Sequence, residues 1–224
     1  MFINCNDISV NNKLSDGDIC SLNCNEFNYS NNKYNVFING MISNNERAIN
    51  ILEELKINDA QNILIYNESS FDNNKSFLNN TKSVLADLYH AIVGKVSNLL
   101  GKNVEKSVQS TINFLKDTLK TNSKIILNAH SQGAIILKNA LSILKETLNE
   151  DEWDMLKTNT QINLYGSPCG TFSDDLKIIE YKTKFDFVNL FKGFNTKNNN
   201  YNLKILNGYG HSFDTYNEGL KEIK

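Results

Sequence analysis

A chain of 224 residues with 40% hydrophobic composition is long enough for one sizeable core, and a single domain over residues 1–224 is the simplest organisation. Its formal net charge of −2, from 23 basic and 25 acidic side chains, gives no electrostatic case for binding nucleic acid. No run of about 18 consecutive apolar residues suggests a transmembrane helix, and the N-terminus lacks the basic and apolar regions of a signal peptide, which points to a cytoplasmic protein or one exported without a cleaved signal.

Residues 1–33 are polar, rich in asparagine and weakly patterned, with "DICSL" as a strand candidate. Four cysteines, Cys5, Cys20, Cys24 and Cys169, are too few to suggest a disulfide scaffold at this length. Cys20 and Cys24 lie close together, but no matching His/Cys pair follows, so reduced thiols are expected rather than a metal site. The asparagine bias, with Arg47 as the only arginine, looks like AT-rich coding and carries little chemistry.

Val36, Phe37 and Ile38 form a short apolar run that ends at the turn pair Asn39-Gly40, which reads as a buried strand. Ala48, Ile49, Ile51, Leu52 and Leu55 recur at helical spacing. "NILIYN" is a second strand. After a polar loop, Val84, Leu85, Leu88, Ile92, Val96 and Leu99 mark an amphipathic helix, so residues 68–100 read either as a lid or as a core-packed helix. "VEKSVQSTINFLKDTLK" is a helix, "KIILNA" a strand, "GAIILKNALSILKETL" a helix, "QINLYG", "LKIIEYKT" and "NLKIL" are strands, and "FDTYNEGLKEIK" is the closing helix. Strands alternating with helices predict the α/β class, with a mostly parallel central sheet and helices on both faces. Ligands then bind beyond the carboxyl ends of the strands.

One such end reads Ala129-His130-Ser131-Gln132-Gly133. This is the G-x-S-x-G nucleophile-elbow pattern with alanine for the first glycine. The elbow brings a strand and a helix almost into contact, so the residues two before and two after the serine must be small. It exposes the serine Oγ and turns the N–H of Gln132 into the same space, beside a helix N-terminus. A serine in this position is otherwise a helix cap.

A serine nucleophile needs a base. Of the three histidines, His130 sits in the turn itself with its ring directed away from the Oγ, and His90 lies within an amphipathic helix. His211, in "LNGYGHSFDTY", follows the last strand and is the candidate base. Asp186, just past the fifth strand, is the candidate orienting acid. Asp174 and Asp175, before that strand, read as a cap or solvated turn, and Asp214 as the start of the last helix; Asp175 and Asp214 are the reserves. Oxyanion donors are expected from the N–H of Gln132 and from Gly40 or Met41 in the loop after the first buried strand. Ser167 and Cys169 read as structural.

With these residues in order, the chain resembles the α/β-hydrolase superfamily, most of all the class 3-type lipases and esterases. "AHSQG" stands for their elbow, "INLYGSPCG" for a strand ending in a Gly-x-Pro turn, "YKTKFDFVNLF" for the strand that carries the acid, and "GYGHSF" for the histidine loop. The likeness covers about residues 120–215. It departs from the family at Ala129 and in the "ING" oxyanion loop, and residues 1–33 have no counterpart.

The resemblance implies a serine hydrolase of carboxylic esters, of lipase or phospholipase type, with Ser131, His211 and Asp186 as triad. It implies no metal or organic cofactor and no nucleic-acid partner. The substrate would be an ester or lipid, with peripheral contact at a lipid surface. A non-catalytic binding or effector domain on the same fold, and a thioesterase or acyltransferase, remain open at this stage.

Overall fold

Six apolar runs become neighbouring strands; the inner ones are buried on both faces, the condition under which a strand reads as a continuous hydrophobic stretch, while the last, "NLKIL", lies at the sheet edge with Leu203 and Ile205 exposed. The computed structural model describes residues 2–8, 13–22, 32–40, 43–68, 105–170, 172–173, 175–186, 188 and 201–221. Its strands are β1 (Phe2–Asn4), β2 (Ile19–Ser21), β3 (Lys33–Ile38), β4 (Gln61–Ile65), β5 (Lys124–His130), β6 (Thr160–Tyr165), β7 (Lys177–Thr183) and β8 (Tyr201–Leu206). Its helices are α1 (Asn45–Glu54), α2 (Lys106–Lys120), α3 (Gln132–Thr147), α4 (Glu150–Asn159) and α5 (Phe213–Lys221).

The strands form one sheet in the order β1-β2-β4-β3-β5-β6-β7-β8. β3 to β8 run parallel, while β2 pairs antiparallel with β4 and parallel with β1. The expected α/β architecture, a mostly parallel sheet with helices on both faces, is the one observed. Helices α2, α3 and α4 cover one face, burying Leu115, Ile136, Leu137 and Leu156 against Val36, Ile63, Leu127 and Leu164. Helices α1 and α5 cover the other, where Leu52, Phe213 and Tyr216 meet Phe37, Leu64 and Tyr165. No helix among the described residues is long and apolar enough to cross a membrane.

β3 pairs with β4 on one side and β5 on the other. The chain therefore steps away from β3 in one direction and returns on its opposite side. The carboxyl ends of β3 and β5 flank the point where the winding reverses, which is where an open α/β sheet leaves a crevice.

Three features depart from or add to the sequence reading. Helix α4 is not expected from the pattern, since only Trp153 and Leu156 of it are buried and its apolar stripe is too thin to register as periodicity. A capping box starts it: Asn149 Oδ1 accepts from the Glu152 N–H at 2.9 Å, and the Asn149 N–H donates to the Glu152 carboxylate at 3.1 Å.

The expectation of reduced thiols is corrected for two of the four cysteines. Cys5 and Cys20 form a disulfide, with Cα atoms 5.2 Å apart. The parallel pairing of β1 with β2 sets Ile3 opposite Cys20 and brings Cys5, just beyond β1, within reach. The sulfur of Cys20 is thereby closed to the metal reading. Cys169 is a buried free thiol, and Cys24 lies outside the described residues.

The asparagines also have structural work. Asn35, Asn62, Asn128 and Asn163 are all buried and form a ladder of amides across β4, β3, β5 and β6. Asn163 donates to Asn128 at 2.9 Å, Asn128 to Asn35 at 2.8 Å, and Asn35 to Asn62 at 2.8 Å. Each rung satisfies a polar group that would otherwise be costly to bury.

Candidate active site

β5 delivers Ser131 at the reversal point through a turn that few residues tolerate. Ser131 has φ 53° and ψ −119°, a left-handed conformation that costs a non-glycine residue on the order of 1–3 kcal/mol. What makes the turn possible is the close approach of α3 to β3. A Cβ at Gly133 would lie 2.2 Å from the carbonyl oxygen of Ile38 and 2.9 Å from that of Asn39, so only glycine fits. Ala129, where the motif has glycine, is fully buried on β5.

Ser131 occupies the N-cap position of α3, yet its side chain makes no cap hydrogen bond. Its Oγ lies 2.8 Å from His211 Nε2. The other ring nitrogen, His211 Nδ1, lies 2.8 Å from Asp186 Oδ2. A carboxylate can only accept, so Nδ1 carries the proton and Nε2 faces the serine as an acceptor. Ser131, His211 and Asp186, distant in the chain, thus form one hydrogen-bonded line.

Asp186 is held from three sides. Its Oδ1 accepts from the Val188 N–H at 2.8 Å, and its Oδ2 accepts from the hydroxyl of Tyr216 as well as from His211. Burial alone would push this carboxyl up. The imidazole of His211, the Tyr216 hydroxyl and the Val188 N–H outweigh it and hold Asp186 below the usual carboxylate range. Burial and the same carboxylate push the Tyr216 hydroxyl well above the ordinary tyrosine value, so it stays a donor.

The imidazole of His211 rests on the backbone of Gly166, which follows β6. Gly166 has φ +54°, and a Cβ there would lie 2.6 Å from His211 Cε1 and 2.6 Å from the Tyr216 hydroxyl. Thr183 Oγ1 donates to the Gly210 carbonyl at 2.7 Å and fixes the loop just before the histidine.

The other sequence candidates fall elsewhere. His130 is buried, with its Nε2 donating to the His211 carbonyl at 2.9 Å. Asp175 accepts from Trp153 Nε1 at 3.1 Å and pairs with Lys157 at 3.2 Å on the surface. Although burial raises it, Ser173, Trp153 and Lys157 hold its carboxyl low. Asp214 pairs with Arg47 at 2.7 Å. Asp174, His90 and Met41 lie outside the described residues, as does the 68–100 segment apart from Glu68.

Gly40 and Gln132 are brought beside Ser131. A Cβ on Gly40 would lie 2.9 Å from Ser131 Cβ, so the loop after β3 touches the elbow. Gln132 is the first residue of α3, and first-turn N–H groups have no carbonyl partner within their helix. Tyr216 in the last helix and Asn67 at the end of β4 have no sequence signal, and Asn39 at the end of β3 is marked only as half of the Asn39-Gly40 turn pair. Among the described residues, no group of three or more His, Cys, Asp or Glu side chains is placed to hold a metal ion.

No family model and no curated protein matches the chain. The solved structures similar to it at low identity include the following two. The esterase PE8 is 15% identical over 86% of this chain and 93% of its own, with a TM-score of 0.43. The protein Atu2452 of unknown function from Agrobacterium tumefaciens str. C58 is 11% identical over 86% of this chain and 91% of its own, with a TM-score of 0.35. What the site can do therefore rests on its own geometry.

Proposed function

We propose that the protein is a serine hydrolase that cleaves carboxylic esters through an acyl-enzyme. The observation that carries this reading is the line Ser131 Oγ–His211 Nε2 at 2.8 Å and His211 Nδ1–Asp186 Oδ2 at 2.8 Å, set on a strained turn at the N-terminus of α3.

His211 Nε2 takes the Ser131 proton as Oγ attacks the ester carbonyl carbon. The π electrons of the carbonyl move to its oxygen, and the N–H groups of Gln132 and of the Gly40–Met41 loop receive that oxyanion. The intermediate collapses, the alkoxide leaves with the proton from His211, and the acyl group stays on Ser131. A water then gives its proton to His211 and attacks the acyl carbon; this second intermediate collapses, the bond from the acyl carbon to Ser131 Oγ breaks, His211 returns the proton to Oγ, and the acid leaves. Asp186, ionised because its partners hold its carboxyl low, fixes the Nδ1–H tautomer and stabilises the imidazolium.

Lipase- or phospholipase-type substrates are the finer part of the proposal. Phe185 and Tyr209, in the chain beside Asp186 and His211, are 67% and 74% exposed, and their rings stack at 5.0 Å. An apolar rim of this kind suits the acyl chain of an amphiphilic ester, with contact at a lipid surface.

A panel of p-nitrophenyl esters and phospholipid vesicles, assayed with wild type and Ser131→Ala, tests the reading. Turnover that Ser131→Ala abolishes is expected; a fully active variant contradicts it. A non-catalytic binding domain gives no turnover in either.

A further inference from the structure

We infer that Asn67, just beyond β4, is a positioning residue that fixes the oxyanion site from two sides at once. The inference rests on the serine-hydrolase reading above.

The backbone ladder between β3 and β4 ends at Ile38 and Ile65. Beyond it, a side chain continues the pairing. Asn39 Oδ1 accepts from the Asn67 N–H at 2.8 Å, and Asn39 Nδ2 donates to the Asn67 carbonyl at 2.8 Å. The amide of Asn39 thus acts as an extra rung. Asn67 answers with its own side chain: Nδ2 donates to the Asn39 carbonyl at 3.4 Å and to Gln132 Oε1 at 2.9 Å. Because backbone N–H and C=O groups anchor both amides, the orientation of each is fixed by its partners. Asn39 and Asn67 are 0% and 4% exposed, so water does not compete for these bonds.

The two residues that Asn67 ties together each precede or carry a proposed oxyanion donor. Asn39 leads into Gly40, and Asn39 Nδ2 also donates to the Gly40 carbonyl at 3.1 Å. With the Asn39 carbonyl directed at Asn67, the N–H of Gly40, on the opposite side of the same trans peptide, points away from the clamp. Gln132 carries the second donor on its backbone. One buried side chain therefore sets the spacing between the loop after β3 and the start of α3. Stabilisation by preorganised donors depends on that spacing being fixed before charge develops. The clamp consists of neutral amides, which hold the loop without placing a negative charge beside a developing oxyanion.

The test is a double-mutant cycle on p-nitrophenyl butyrate hydrolysis with wild type, Asn67→Ala, Gln132→Ala and the double variant. It is read as kcat, KM, pH–rate profile and melting temperature. Gln132→Ala keeps its backbone N–H and loses only the side-chain tie. Asn67→Ala is expected to lower kcat on the order of 10- to 100-fold, with KM little changed. The double variant should fall no further than the worse single one, and the pH–rate profile should keep its shape, because the His211 and Asp186 contacts are untouched. An unchanged kcat in Asn67→Ala, a loss confined to KM, or losses that multiply in the double variant overturn the inference and leave the hydrolase reading intact. If Asn67→Ala does not fold, Gln132→Ala reports the same bond from the other side, and an unchanged kcat there overturns it. A folded wild type with no turnover overturns both.

Discussion

The ring of His130 stacks on the ring of His211 with centroids 5.0 Å apart, and its Nε2 donates to the carbonyl oxygen of the same residue at 2.9 Å. The histidine nearest the serine in sequence thus supports the histidine that contacts it in space.

This packing makes His130 a source of acid sensitivity. Burial, and then the neighbouring His211, lower its pKa from 6.5 to about 3; the charged groups Asp186 and Arg47 act on it more weakly. Between those values the unfolded chain binds a proton that the folded protein refuses. Stability therefore falls as pH drops from about 6.5 toward 3, by about 1.4 kcal/mol per pH unit for this one group. Urea unfolding at pH 7 and pH 5 should show wild type losing about 2 kcal/mol more than His130→Gln over that interval. Equal losses would mean that His130 titrates normally.

Gly133 should tolerate no side chain. The added methyl of Gly133→Ala meets the Ile38 carbonyl at 2.2 Å, backbone that cannot move without opening the sheet. A loss of about 3 kcal/mol or more is expected, visible as a large drop in melting temperature or as insoluble protein. Gly170→Ala, with none of the described residues within 4 Å of its Cβ, serves as control and should change stability by less than about 0.5 kcal/mol.

How much of this was legible in the sequence follows from what each feature depends on. The strands from β3 to β7 announce themselves because burial demands apolar runs, whereas β8, exposed at the sheet edge, shows only the short run "NLKIL". Ser131, Asp186 and His211 could be named because each follows a strand, and in a parallel sheet all such ends share one edge. Helix α4 could not, since two buried residues leave no stripe. Tyr216 and Asn67 were out of reach for another reason: their roles are hydrogen bonds to distant residues, and nothing local distinguishes them from other tyrosines and asparagines; Asn39 showed its turn pair with Gly40 but not its bonds to Asn67. The same holds for Cys5 and Cys20, whose pairing depends on β1 lying beside β2.

The amide ladder predicts that Asn128 is structural. It bonds Asn35, Asn163, the hydroxyl of Tyr165 and the carbonyl of Val36, so Asn128→Ala leaves buried polar atoms on four neighbours without that partner. Chemical denaturation should register a loss of about 2–3 kcal/mol. A loss under about 0.5 kcal/mol would show that the ladder contributes nothing net.

Breaking the Cys5–Cys20 bond should loosen the N-terminal edge of the sheet. For a separation of 15 residues, loss of the cross-link is expected to cost about 3 kcal/mol. Cys20→Ser and reduction of the wild type with dithiothreitol should lower the melting temperature by similar amounts, and dithiothreitol should then have no effect on Cys20→Ser.

The central claim is that Ser131 is a nucleophile activated by His211, and intact mass after exposure to a fluorophosphonate tests it most directly. Wild type is expected to gain one phosphonyl group, mapped by peptide digestion to Ser131, while Ser131→Ala and His211→Ala, confirmed as folded, gain none. Folded wild type that stays unlabelled, or labelling that survives in Ser131→Ala at wild-type rate, would contradict it.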